Sequence, residues 1–181
     1  MRTVLAMVCL ASAALAQDRA AVTRALSACG PDEVRFEVQT RATGPVPEPE
    51  ADKALVYVIE VFNKASNELG EPTVRVGLDS AWVGATKGDS HFSFSVTAGE
   101  HHLCTEWQSS FKRLSKNVAL TSFAAEAGKT YYFRARITEQ TNLAFTFDLD
   151  PVNEDEGKLL VASSAFSTSK AGTRRKNPRV P

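Results

Sequence analysis

Glu100-His101-His102 followed by Cys104, with His91 upstream, is the cluster in this sequence that comes closest to a metal-ligand set. Imidazole and thiolate are the usual zinc ligands, and a site needs three or four of them converging at about 2 Å. Successive side chains on a strand point to opposite faces. Glu100, His102 and Cys104 therefore share one side, and His101 and Leu103 the other. If residues 90–97 and 100–107 pair as a hairpin, His91 approaches this group. Only His102 and Cys104 converge, and a disulfide would withdraw Cys104. His91 and His102 are the candidate ligands, and the expectation is that no metal or other cofactor is bound.

Other reaction chemistry finds less material. Serines are plentiful, but none lies in a Gly-x-Ser-x-Gly elbow that would expose it as a nucleophile. Asp148 and Asp150 share a strand face, an arrangement compatible with glycoside or calcium chemistry, but they read as solvated acids at a strand end before Pro151. No glycine-rich phosphate loop is present. The chain is expected not to be an enzyme. Aromatic and arginine side chains are the better lead for binding. Trp82 lies at a hairpin, Trp107 ends a strand, and Tyr132 points away from the expected core beside Arg134 and Arg136. Such side chains favour protein contacts or sugar stacking when exposed; the competing reading is that each caps an edge of the core.

The segment ahead of these residues says where they work. Met1-Arg2 opens with positive charge, Thr3 to Leu15 is apolar and uncharged, and Ala14-Leu15-Ala16 has the small-x-small form of a signal-peptidase site. Residues 1–16 read as a signal peptide, so the chain is expected to be exported to the periplasm or secreted. The apolar run is shorter than the ~20 residues a membrane helix needs, and no later segment is long and apolar enough to span. Leu26-Ser27-Ala28-Cys29 matches a lipobox, giving lipid anchoring at Cys29 as an alternative. Asp18, Arg19 and Arg24 separate that motif from the apolar run, which favours cleavage after Ala16. Cys9 leaves with the signal. Cys29 and Cys104 then remain in an oxidising compartment and are expected to form a disulfide.

Charge excludes one partner class. Lys and Arg total 21, and so do Asp and Glu, so nothing in the global balance attracts nucleic acid. The end is uneven: Lys170, Arg174, Arg175, Lys176 and Arg179 are accompanied by no acid. Residues 168–181 read as a disordered basic tail able to contact anionic surfaces. The partner expected for the folded part is an envelope protein or a glycan.

The remaining pattern is that of strands. Residues 17–31 are a short Ala-rich helix and lead-in, stopped at Cys29-Gly30-Pro31. Val34, Phe36 and Val38 alternate with Arg35, Glu37 and Gln39. Lys53 to Phe62 is apolar on both faces, the mark of a central strand. Thr73 to Asp79 and the stretch from Trp82 follow around Asp79-Ser80. Phe92, Phe94 and Val96 make the next strand, with a further strand from Glu100 to Gln108. Asn117 to Ala124 and Lys129 to Thr138 are expected to form a hairpin around Glu126-Ala127-Gly128-Lys129. Phe145 to Leu149 is the last strand, and Asn153-Glu154-Asp155-Glu156 places acids where a short C-terminal helix begins. About eight strands with frequent turns predict one antiparallel β-sandwich over 32–167, transthyretin- or immunoglobulin-like, with short N- and C-terminal helices.

Four pieces in order carry a family resemblance: Lys53-Ala54-Leu55-Val56-Tyr57-Val58; Val76-Gly77-Leu78-Asp79-Ser80-Ala81-Trp82-Val83-Gly84; Ala98-Gly99-Glu100-His101-His102-Leu103 after the strand from Phe92; and Glu126-Ala127-Gly128-Lys129-Thr130-Tyr131-Tyr132-Phe133. Together they resemble the bacterial domain of unknown function 2846. That resemblance implies a β-sandwich on exported or lipid-anchored proteins and implies no catalytic residues. The functional expectation is a non-catalytic binding or structural module of the envelope. A metal- or carbohydrate-binding periplasmic protein is the alternative, and a small hydrolase a third.

Overall fold

The computed structural model describes residues 27–63, 70–109, 117–140 and 144–173. The expected signal peptide, most of the expected N-terminal helix and the last eight residues of the basic tail lie outside them. The described elements are β1 (Val34–Arg41), β2 (Lys53–Asn63), β3 (Thr73–Leu78), β4 (Ala81–Lys87), β5 (Ser90–Thr97), β6 (Gly99–Trp107), β7 (Val118–Ala125), β8 (Thr130–Gln140), β9 (Ala144–Val152), α1 (Glu154–Ser163) and β10 (Ala165–Thr173). They form two sheets, one of six strands in the order β1-β10-β5-β2-β8-β9 and one of four in the order β4-β3-β6-β7.

The two sheets pack face to face as a β-sandwich. Ala54, Val56 and Val58 of β2, Phe92 and Val96 of β5, and Phe133 and Ala135 of β8 meet Val76 of β3, Leu103 of β6 and Ala119 and Ala125 of β7 in one core. β2 is central, as its two apolar faces require. Its other face carries Leu55, Tyr57 and Ile59, which α1 covers with Leu160 and Val161. The helix starts where the acids predicted it. Asn153 is the N-cap, its side chain accepting the Glu156 N–H at 3.0 Å, and Glu154, Asp155 and Glu156 fill the first turn.

Three expectations are corrected by the pairing. Residues 90–97 and 100–107 are not a hairpin: β5 pairs with β2 and β10 in the larger sheet, β6 with β3 and β7 in the smaller. Residues 117–124 and 129–138 are not a hairpin either, because β7 pairs with β6 while β8 pairs with β2 and β9. In both places the chain crosses from sheet to sheet at the turn. As a result the sandwich is not wholly antiparallel. β2–β8 and β10–β5 are parallel, the first made possible by the long excursion through the smaller sheet.

The third correction concerns the tail. Residues 168–173 belong to β10, which pairs with β1 from Val34↔Thr173 to Arg41↔Phe166. Backbone hydrogen bonds to β1 order a segment that has little apolar surface of its own. Residues 27–31 form turns and bends rather than a helix end.

Candidate functional site

The outer face of the smaller sheet holds a cluster of polar and aromatic side chains. Cys104 on β6 is fully buried and bonded to Cys29. This bridge lays residues 28–30 across β3, and Gly77 of β3 is what admits them. A Cβ at Gly77 would lie 2.8 Å from the Ala28 carbonyl oxygen and 3.1 Å from the Cys29 Cα. The Ser80 N–H also donates to the Ala28 carbonyl at 3.2 Å. Next along the chain, Gly30 lies against the Trp82 ring, whose indole N–H donates to the Pro31 carbonyl at 2.8 Å. Arg75, 2% exposed, stacks its guanidinium 4.2 Å from the Trp82 centroid, pairs with Glu106 and donates to the Val34 carbonyl. Trp82, expected as a binding aromatic, is thus the anchor that leads the chain into β1. The sulfur of Cys29 is occupied by the bridge and is not free for a thioether lipid.

The histidines are separated. His91 lies on β5 in the other sheet from His102, on the face covered by α1. Its Nδ1 is 2.9 Å from the Ser164 Oγ, which donates to the Leu160 carbonyl at 2.7 Å, so the ring nitrogen is the donor to Ser164. Its ring lies near Tyr57 and Phe166, and burial holds its pKa below the usual value. His101 has both ring nitrogens engaged: Nδ1 with Asp79 Oδ2 at 2.6 Å and Nε2 with the Thr97 carbonyl at 2.9 Å. Burial opposes the charged ring, but these two acceptors outweigh it and raise the pKa. Asp79 also accepts the His102 N–H at 2.9 Å on its other oxygen. Burial works against that carboxylate, and the His102 amide and His101 together still hold its pKa down. Asp79 and Ser80 adopt positive φ, 48° and 77°, the form of a tight type I′ turn. The Asp-His pair therefore fastens the β3–β4 turn to β6, and neither ring nitrogen is left to serve as a base. Among the described residues, no group of three or more His, Cys, Asp or Glu is placed to hold a metal.

The remaining aromatics and arginines are used internally as well. Tyr132 is 8% exposed, stacked on Tyr57 at 5.2 Å and 12°. It does point away from the inter-sheet core, but α1 lies over it. A Cβ at Gly157 would run into the Tyr132 ring. Trp107 is buried edge-on to Phe145 at 4.9 Å. Arg134 pairs with Glu156 of α1 and, at 3.9 Å, with Asp150 of β9; Arg136 reaches Asp150 at 3.4 Å. The two arginines bind helix and edge strand to β8.

One chemically unusual group escaped the sequence reading. Glu60 of β2 is completely buried, and neither carboxylate oxygen has a hydrogen-bond partner among the described residues. It follows Val56 and Val58 on the core face, and the period-two pattern would have placed it there. Burial raises its pKa well above the ordinary value; Thr86 and the Gly88 amide pull it down, and Asp89 and Glu71 push it further up. The hydroxyl of Thr86, also buried, makes no hydrogen bond among the described residues. Elsewhere, Arg35, Phe36, Glu37, Lys170, Ala171 and Gly172 line an open groove of about 230 Å³ on the β1–β10 pair. Among the described residues no helix is long and apolar enough to cross a membrane. No protein-family model, curated protein or solved structure matches this chain.

Proposed function

We propose that this chain is a non-catalytic, exported module of the bacterial envelope, periplasmic or secreted, acting through its surface in binding or structural support. The Cys29–Cys104 bridge carries the reading. It closes a 75-residue span and pins the lead-in that follows the signal-like segment onto the smaller sheet. A bond of this kind persists on the oxidising side of the membrane and is rare in a reducing cytosol. The engagement of His101, His91, Tyr132 and Arg134 in turn, helix and strand contacts supports a structural use for residues that could otherwise do chemistry. The resemblance to the domain of unknown function 2846 points the same way.

The β1–β10 groove favours a second reading, a small polar or carbohydrate ligand held between Arg35, Glu37 and Lys170. Two measurements test these readings. The intact mass of the protein isolated from cell fractions is expected to lack the first sixteen residues and to fall about two mass units below its reduced form, in the periplasmic or secreted fraction. A full-length chain with free thiols in the cytosolic fraction would overturn export. Glycan-array binding lost in Lys170→Ala would replace the first reading with the second.

A further inference from the structure

Two sheets present four edges, and three of them are guarded. On β1, the Gln108 side chain takes the place of a neighbouring strand: the Phe36 N–H donates to its Oε1 at 2.8 Å, and its Nε2 donates to the Phe36 carbonyl at 2.8 Å. β4 runs beside β10, with the Ala85 N–H donating to the Ser169 hydroxyl at 3.1 Å. β9 carries Asp148, Asp150 and Pro151, the charges and proline by which edges resist pairing. β7 lies beside β9 but, among the described residues, makes no hydrogen bond to it and carries none of the other devices. Val118 to Ala125 holds neither charge nor proline, its only strand partner among the described residues is β6, and Val118 is 40% exposed.

The ladder shows which groups are open. The Trp107 N–H donates to the Asn117 carbonyl at 3.2 Å across the β6–β7 register. Hydrogen-bonded pairs alternate along an antiparallel ladder, so Ala119, Thr121, Phe123 and Ala125 bond to β6. The N–H and C=O groups of Val118, Leu120, Ser122 and Ala124 point out along the free edge.

We infer that β7 is a self-pairing edge that joins two copies of this chain in an antiparallel, two-fold arrangement, making one continuous eight-stranded sheet from the two smaller sheets. With Thr121 on the axis, Val118 faces Ala124 and Leu120 faces Ser122 of the second copy, and every outward group on both strands finds a partner. An uncharged strand meets its own copy without like-charge repulsion. Thr121 opposite Thr121 is also a favourable cross-strand pair. β9 runs beside β7 in the larger sheet, and its exposed Asp148 keeps the contact to the smaller sheet. The interface is therefore narrow and the association concentration-dependent. This inference stands independently of the compartment.

Sedimentation of the oxidised protein over micromolar to millimolar concentration is expected to move from one chain mass to two. Ser122→Pro removes an outward donor while leaving the β6 ladder intact, and it should weaken the dimer at least tenfold with an unchanged circular dichroism spectrum. Thr121→Cys should give a disulfide-linked dimer under mild oxidation, a readout that survives if the proline variant fails to fold. Three outcomes would each overturn the self-pairing. One is a single chain mass throughout. Another is a dimer indifferent to Ser122→Pro, with Thr121→Cys giving no linked dimer. The third is a monomer that takes up only an added foreign strand peptide.

Discussion

Gly157 and Tyr132 are in a contact that a single methyl group would break. The helix rests on the larger sheet where Gly157, its one buried residue, meets the tyrosine ring near its attachment to the backbone. Alanine in mid-helix gains about 1 kcal/mol over glycine. Here the ring cannot swing aside, so α1 must lift, uncovering Tyr57 and Ile59, and such overpacking costs about 1–3 kcal/mol. Gly157→Ala is expected to lower stability in urea unfolding, and to become neutral or stabilising when Tyr132 is also changed to Ala. That reversal in a double-mutant cycle is the check.

The disulfide is expected to be the largest single contributor outside the core. For a span of 75 residues, loop entropy alone gives about 4 kcal/mol. Cys29→Ser should lower the urea midpoint of the oxidised protein. Adding reductant should then lower the parent protein to the same midpoint and leave the variant unmoved. If reductant shifts both equally, the bridge is not what holds the lead-in over Gly77.

Much of the fold was legible because it depends on local periodicity. The double apolar face of Lys53 to Phe62 announced a central strand, and the acids after Asn153 announced the helix. Strand pairing was not legible. The turns at Ala98-Gly99 and Glu126–Lys129 look like hairpin turns, yet both carry the chain across to the other sheet. Short-range turn chemistry does not distinguish a return from a crossing. β10 was missed because its partner β1 lies more than a hundred residues earlier and its own sequence is polar. At the candidate site, the disulfide could be read from the cysteine count, and the alternation of Glu100, His102 and Cys104 from strand geometry. The role of Trp82 could not be read, since it depends on Gly30 and Arg75 reaching it through tertiary packing.

Asp79 and His101 should make the β3–β4 turn sensitive to pH from both sides. The raised pKa of His101 means that its contribution is full below the unfolded value of about 6.5 and is lost as pH rises through the folded value. The lowered pKa of Asp79 means that its contribution is present above the unfolded carboxylate value of 3.8 and is lost as pH falls through the folded value. The pair therefore contributes most between these limits. Urea midpoints measured from pH 3 to 9 should show a broad maximum in the mildly acidic range, flattened in His101→Phe and in Asp79→Asn. An unchanged profile in both variants would mean that the pair does not fasten the turn.

Glu60 should act in the opposite sense to Asp79. Its folded pKa lies above its unfolded one, so the folded state holds a proton that the unfolded chain releases as pH rises past about 4.5. Stability is favoured below that point and falls with rising pH until the folded value is passed. The carboxyl group has no hydrogen bond among the described residues to offset its burial. Leaving a polar group buried and unpartnered costs about 1–3 kcal/mol. Leucine has a similar size and suits the apolar neighbours on the core face of β2. Glu60→Leu is therefore expected to raise stability by about that amount at neutral pH, with the advantage shrinking as pH falls toward 4. Thr86→Val removes the other unpartnered polar group on that side of the core and should stabilise less. If Glu60→Leu destabilises at all pH values, the carboxyl group has a partner in solution that its burial conceals, and the position should then be probed for a bound cation by titrating calcium into the parent protein.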